Sequence, residues 1–154
     1  MIIIREFQPG DEASLRALFY QTVRHINRND YSQAQVEAWA PDEYDDKQWS
    51  ARIRALKPFI ATIDNNLAGY ADLQDDGYID HFFCHKDYQG MGVGKSLMQQ
   101  IVNSAKARKI TRLHAQVSIT AKPFFQHFGF QQIKAQQVEI RGQVLTNYVM
   151  GRLI

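Results

Sequence analysis

The chain has 154 residues, 45% hydrophobic and 22% charged, with 18 Lys and Arg against 16 Asp and Glu. That balance excludes a disordered chain, and basic residues that are scattered rather than striped argue against a dedicated nucleic-acid binder. A lone cysteine, Cys84, excludes an internal disulfide and a cysteine-built metal site, and suits a reducing cytoplasm. No apolar run approaches the ~20 residues that span a bilayer. The length suits one domain covering residues 1–154.

The opening Met1–Ile4 is apolar but is followed at once by Arg5 and Glu6, too short for a signal peptide. Ile2 to Phe7 therefore predicts a first strand. Pro9-Gly10-Asp11 is a turn, and Asp11 can cap the helix that follows. Leu15, Leu18, Phe19, Val23 and Ile26 recur at helical spacing to about Arg28. Ser32 can cap a short helix that Pro41 stops, and Asp45 to Leu56 is helical again. From Pro58 the texture turns to strands. Phe59–Ile63, Leu67–Leu73 and Tyr78–Cys84 are separated by turns at Asp64-Asn65-Asn66 and Asp75-Asp76-Gly77. A glycine-rich loop leads into a long helix from about Gly92 to Arg108. Then come a strand over Leu113–Val117 and a short helix over Thr120–Phe128 ended by Gly129. Two long strands, Phe130–Ile140 and Val144–Leu153, close the chain. The order predicts an α+β domain with a mixed, mostly antiparallel sheet of about seven strands flanked by helices.

The segment Tyr88-Gln89-Gly90-Met91-Gly92-Val93-Gly94-Lys95-Ser96 lies between a strand and the long helix. Glycines let main-chain N–H groups crowd around an anion, and a helix start adds free donors and the positive end of its dipole. A P-loop would need its first glycine where Gln89 stands, and a dinucleotide fingerprint would need its third glycine one residue later than Gly94. The pattern that fits is Q/R-x-x-G-x-G/A, on Gln89, Gly92 and Gly94. It resembles the acetyl-CoA pyrophosphate loop of the GNAT superfamily. Ser118, Ala121, Pro123, Phe124, Phe125 and the Gly129-Phe130 step resemble the second motif of that superfamily. Asp30-Tyr31-Ser32, Ala38-Trp39-Ala40-Pro41, Arg141-Gly142 and Asn147–Met150 are similar to a bacterial subgroup, so the likeness covers nearly the whole chain.

That resemblance implies a GNAT fold with a splayed parallel strand pair binding acyl-CoA, and transfer of an acetyl group from acetyl-CoA to a primary amine without a metal. Phe83 and Cys84 would give main-chain contacts near the thioester. The run Gln89, Gly90, Met91, Gly92, Val93, Gly94, Lys95 and Ser96 would hold the pyrophosphate. Ser118, Phe124 and Phe125 would lie along the pantetheine arm. Cys84 is set aside as a covalent carrier, because its place matches a small apolar position and a lone buried thiol is inert packing.

Base candidates lie on Tyr78-Ile79-Asp80-His81. Strand alternation puts Tyr78, Asp80 and Phe82 on one face, which by family position points at the acceptor. Asp80 is the favoured base or water anchor, with the alternative that it only hydrogen-bonds the sheet. His81 has the better intrinsic pKa but faces away unless a bulge reverses it. Phe125 stands where many relatives carry the tyrosine that protonates the departing thiolate, leaving Tyr78, Tyr148, Ser118 or water for that task.

His25, Tyr31 and Trp39 are the candidates for acceptor contact. Aromatic rings among Asp42, Glu43, Asp45 and Asp46 suit a cationic amine, with core packing and a solvated face as the bland alternatives. A non-catalytic acyl-CoA-binding module and a nucleotide hydrolase using Gly94-Lys95-Ser96 are the competing functions. Partners are expected to be a small-molecule or peptide amine, not nucleic acid or membrane, with the protein a monomer or homodimer.

Overall fold

The computed structural model describes residues 1–154. Its elements run β1 (Ile2–Glu6), α1 (Glu12–His25), α2 (Gln33–Trp39), α3 (Asp46–Leu56), β2 (Phe59–Ile63), β3 (Asn66–Ala71), β4 (Tyr78–Ile79), β5 (Phe82–Cys84), α4 (Val93–Ala107), β6 (Arg112–Ser118), α5 (Lys122–His127), β7 (Gln131–Ile140) and β8 (Gln143–Leu153). Short 3-10 turns cover Asn27–Asn29 and Lys86–Tyr88.

Local chemistry sets the element ends. Ser32 and Gln35 form a reciprocal capping box on α2, and the Asp45 carboxylate accepts from Gln48 N–H at 3.0 Å to start α3. Asp64 and Asn65 both hold positive φ in the β2–β3 hairpin, as do Arg141 and Gly142 between β7 and β8.

The eight strands form two four-stranded sheets, ordered β1-β2-β3-β5 and β4-β6-β8-β7. All pairs are antiparallel except β4 with β6. The predicted strand over Tyr78–Cys84 is therefore two strands. It pairs with β6 through Tyr78 and Ile79, then leaves to pair with β3 through Phe82–Cys84. Composition favours strand throughout; the break at Asp80–His81 comes from a partner on another segment. Asp72 is fully buried, and its Oδ1 accepts the N–H of Asp80 at 2.9 Å and of His81 at 2.7 Å. Neighbouring amides of a regular strand point to opposite sides, but both of these turn to Asp72, so the pairing phase changes here and the sheet splits.

The first sheet separates two cores. In β2 and β3 the alternation puts Ile60 and Tyr70 on one side and Ala61 and Ala71 on the other. Leu15, Leu18, Val23, Val36 and Ile53 of α1 to α3 cover the first side. On the other, α4 buries Val93, Leu97, Met98, Ile101 and Ala105 in one core with Ala61, Ala68 and Ala71 of the first sheet, a core that continues to Leu113, Ala115 and Val117 of β6. Full burial of each large aliphatic side chain there contributes roughly 1.5–3 kcal/mol. The helix lies chiefly on the first sheet, over β1, β2 and β3, and its N-terminus follows β5 directly. No helix is long and apolar enough to cross a membrane.

Candidate active site

The loop ahead of α4 is an open array of donors. The N–H groups of Gln89 through Lys95 donate to no protein acceptor, and the first helical bond is Ser96 N–H to Gly92 O at 3.0 Å. Gly90 and Gly92 hold φ of +72° and +88°. Gly90 has open space where a side chain would start, and Gly92 meets only Ile2 at 3.7 Å. Met91 and Lys95 are exposed while Val93 is buried as an anchor. Gln89 Nε2 ties the loop back to Cys84 O at 2.9 Å. At Gly94 a Cβ would fall 2.7 Å from Phe124 Cε1, so α5 packs on the first turn of α4 only because that position is glycine. Free amides, a helix start and glycines with open space beside them together fit a diphosphate. Ser96 spends its N–H inside the helix, so of the predicted loop contacts it retains only its hydroxyl.

The other end of β5 carries the kink. The bonds His85 N–H to Ala68 O at 2.8 Å and Asp72 N–H to His81 O at 3.2 Å fix the phase of the β3–β5 ladder. Hydrogen-bonded pairs alternate in an antiparallel ladder, so Phe83 turns its main chain to Tyr70 rather than to the split. Phe82 and Cys84 present theirs instead, which corrects the expectation for Phe83. The Cys84 carbonyl already accepts from Thr22 Oγ1 and Gln89 Nε2, both at 2.9 Å. Burial pushes the Cys84 thiol up to about 12, so it is held protonated.

A cavity of about 610 Å³ opens between α1, the segment joining α2 to α3, the kink and β6. Tyr78, Asp80 and His81 all border it, as do Phe83, Ser118 and Phe125. Strand parity had turned His81 away; the kink brings it to the same cavity as Asp80. Tyr31 and Trp39 also border the cavity, but His25 does not and sits exposed at the end of α1. The Tyr31 hydroxyl is committed, donating to Thr146 O at 2.6 Å and accepting from Ile119 N–H at 2.9 Å. Trp39 stands edge-on to Tyr31 and Phe83. Of the acids expected around the acceptor, only Asp45 borders the cavity, and Asp42 is drawn off to Arg24 and Tyr20.

The electrostatics follow from burial. Asp80 forms an ion pair with Arg52, itself on the cavity wall. His81 packs among Phe19, Trp49, Tyr70 and Phe83, and desolvation pushes it down to about 4, so it is neutral at physiological pH. Its Nδ1 shares a 2.9 Å hydrogen bond with the Tyr70 hydroxyl, which burial keeps protonated. Asp72 is raised by burial to about 6 despite its two N–H donors. The Tyr78 phenol is also held protonated, by burial first and by Asp80 second. Ser118 Oγ accepts from Ala121 N–H at 3.0 Å, leaving its own proton to donate. Tyr148 does not border the cavity, and Lys122 Nζ stands 4.1 Å over its ring.

Three residues escape the sequence reading: Asp72, Arg52 and Arg16. Asp72 and Arg16 did leave a trace. Asp72 is a charged residue inside the apolar run Leu67–Leu73, and Arg16 lies on the buried stripe of α1 beside Leu15 and Phe19. Arg52 left none.

A family model described as an acetyltransferase (GNAT) domain matches residues 27–151. The uncharacterized N-acetyltransferase YafP of Escherichia coli (strain K12) is 35% identical over 149 residues, covering 97% of this chain and 94% of that protein. A GCN5-related N-acetyltransferase from Rhodopseudomonas palustris superposes with a TM-score of 0.94 at 31% identity, covering 99% of this chain and 95% of that one. PaiA N-acetyltransferase from Thermoplasma acidophilum, solved in complex with coenzyme A, superposes with a TM-score of 0.75 at 16% identity, covering 100% and 99%. At that identity the likeness concerns the fold.

Proposed function

We propose that this chain, which belongs to the GNAT acetyltransferase family, acetylates a primary amine by direct attack of that amine on the thioester, with no acyl-enzyme intermediate. Acetyl-CoA-dependent acyl transfer comes with the family; the amine, the direct attack and the residue roles are inferred from the site. Acetyl-CoA supplies the thioester. On this reading the N–H groups of Gln89 to Lys95 bind its diphosphate, and the freed main chain of Phe82 and Cys84 lines the arm on its way to the cavity.

The observation that carries the reading is one strand with two functional ends. The free-amide loop closes one end of β5, and the Asp80–His81 kink opens into the cavity at the other. An alkyl ammonium with pKa ~10.4 costs roughly 4–5 kcal/mol to deprotonate at neutral pH. Asp80, with Arg52 holding its carboxylate in place, is read as the proton acceptor or water anchor. Neutral His81 offers Nε2 beside it, since Nδ1 is shared with Tyr70. Tyr78 and Ser118 are the hydroxyls on the cavity wall able to protonate the leaving thiolate. That help is modest, because a thiol of pKa ~8.5 leaves readily. A Cys84 acyl relay finds no support in a thiol that burial keeps protonated.

The test is release of coenzyme A from acetyl-CoA over a panel of primary amines, with Asp80→Asn beside the wild type. The variant is expected to lose about 100-fold in kcat/KM while binding coenzyme A unchanged. Equal turnover by the variant would remove Asp80 from the mechanism. Turnover lost in Cys84→Ala, with coenzyme A binding intact, would replace direct attack by a covalent route.

A further inference from the structure

We propose that the acceptor carries a carboxylate besides its amine, and that Arg16, with Arg141 at the rim, holds that carboxylate. This rests on the acetyl-transfer reading above and names the class of its acceptor.

Arg16 is 4% exposed on α1 and borders the cavity. Its Nη2 donates to Pro41 O at 2.6 Å, and its Nη1 has no hydrogen-bond partner. No carboxylate pairs with it. Five other arginines do have one: Arg5 with Asp11, Arg24 with Asp42, Arg52 with Asp80, Arg54 with Glu12 and Arg108 with Asp75. The guanidinium lies instead among rings, with Cζ 4.2 Å from the Tyr44 centroid and 5.3 Å from that of Phe19. Aromatic faces stabilise a cation in part, but they leave the Nη1 protons unmatched, and a buried donor without an acceptor is costly. An arginine stays charged even there.

The rest of the cavity wall does not supply the missing charge. Its two carboxylates are Asp45, which caps α3, and Asp80, which Arg52 holds. Arg141 is a second cation on the wall without a carboxylate, its Nη1 bonded to Ala38 O at 2.7 Å. The wall therefore carries positive charge that the protein does not neutralise, around a donor it does not satisfy. A ligand anion completes both. With Nη2 already committed, and three arginines on the wall set against two aspartates, the one surplus charge matches a carboxylate better than a phosphate monoester, which carries nearly two. Arg16 and His81 lie against the same two rings, Phe19 and Trp49. An acceptor whose carboxylate sits on Arg16 thus has its amine directed along that wall to the Asp80–His81 kink.

Binding of the reaction product tests this without turnover. Trp39 and Trp49 are the two tryptophans and both border the cavity, so their fluorescence reads occupancy. The folded protein is titrated with the N-acetyl derivatives of the common amino acids, the matching N-acetyl amino acid amides, and N-acetyl-O-phosphoethanolamine. At least one acid is expected to bind about ten- to a hundred-fold tighter than its amide, and tighter than the phosphate ester. Arg16→Met is expected to bring that preference below about three-fold, with Arg16→Lys between and coenzyme A affinity unchanged. Arg141→Gln, on the exposed rim, is expected to weaken it by several-fold and serves if Arg16→Met fails to fold. Acids and amides binding alike, a preference for the phosphate ester, or an acid preference that survives in both Arg16→Met and Arg141→Gln overturns the inference. Coenzyme A release only with amines lacking a carboxylate also overturns it while leaving acetyl transfer intact. Acid-selective binding with no turnover of any amine sinks the transfer reading and leaves the carboxylate seat.

Discussion

Replacing Asp72 by asparagine is expected to stabilise the fold by about 3 kcal/mol at neutral pH. The carboxylate is fully buried, and its Oδ1 receives two main-chain N–H groups at 2.9 and 2.7 Å. Burial nevertheless raises it from 3.8 to about 6. A carboxyl whose folded value lies above its unfolded one binds its proton more tightly in the folded state. Its contribution is most favourable below pH 3.8 and is lost as pH rises through about 6. A displacement of about two pH units costs about 3 kcal/mol once that point is passed. Asparagine keeps the carbonyl oxygen for both N–H groups and removes the charge, and Gln74, whose Nε2 donates to Oδ2 at 3.3 Å, can turn its amide oxygen to the new Nδ2. Alanine removes the acceptor as well, and is expected to destabilise by roughly 2–4 kcal/mol through two unpaired amides.

Urea unfolding followed by circular dichroism, from pH 4 to pH 8, measures this. The gap between Asp72→Asn and wild type should be about 3 kcal/mol above pH 7 and shrink toward zero near pH 4. His81 titrates in an overlapping window with the opposite slope, but it is present in both proteins and cancels in the difference. An asparagine variant no more stable than wild type at pH 7, or a gap that does not change with pH, would refute the account of the kink as a desolvated, ionised carboxylate holding two amides.

Two further outcomes follow from the same geometry. His81, pushed down to about 4 by burial, contributes stability that is present above pH 6.5 and lost as pH falls through 4. His81→Gln should therefore lose about 3 kcal/mol less than wild type over that interval, and the wild-type kcat/KM profile should rise with the acceptor amine and show no histidine inflection near 6.5. Gly92→Ala forces a side chain onto φ +88° and is expected to cost about 1–2 kcal/mol. It should also reduce the rise in melting temperature that coenzyme A gives. Gly10→Ala carries the same backbone penalty at φ +105° away from the loop, and should lose stability while keeping that rise. Equal coenzyme A protection in both variants would detach the loop conformation from binding.

Much of the candidate site is legible because it is written in contiguous residues. The loop from Gln89 to Ser96 announces itself through glycine spacing, and the structure leaves its amides free. Phe125 and Ser118 reach the cavity from a motif read about two dozen residues downstream. The kink was only half legible. Tyr78, Asp80 and His81 stand out as a group, but alternation along an unbroken strand gives His81 the wrong face, and the family resemblance gives Phe83 a main-chain role that the phase of the β3–β5 ladder gives to Phe82. His25, a candidate for acceptor contact with a surface place as its alternative, lies exposed at the end of α1 and outside the cavity.

Periodicity, caps and turn residues determined the elements, since each depends on neighbours within a few positions along the chain. Ser32 with Gln35, Asp45 with Gln48, and Gly92 at the head of α4 are of this kind. Only the tertiary structure decided where the sheet divides and what the cavity asks of its ligand. Those outcomes depend on pairs far apart in sequence: Arg52 with Asp80 across 28 residues, Arg16 with Pro41 across 25, Tyr31 with Thr146 across 115. A strand-forming run shows no sign that an aspartate from the previous hairpin will take two of its amides. An arginine on a helix stripe likewise does not reveal that folding will bury it without a counter-ion. Burial and pairing are properties of the assembled chain, and the charge left uncompensated in the cavity appears only when they are counted together.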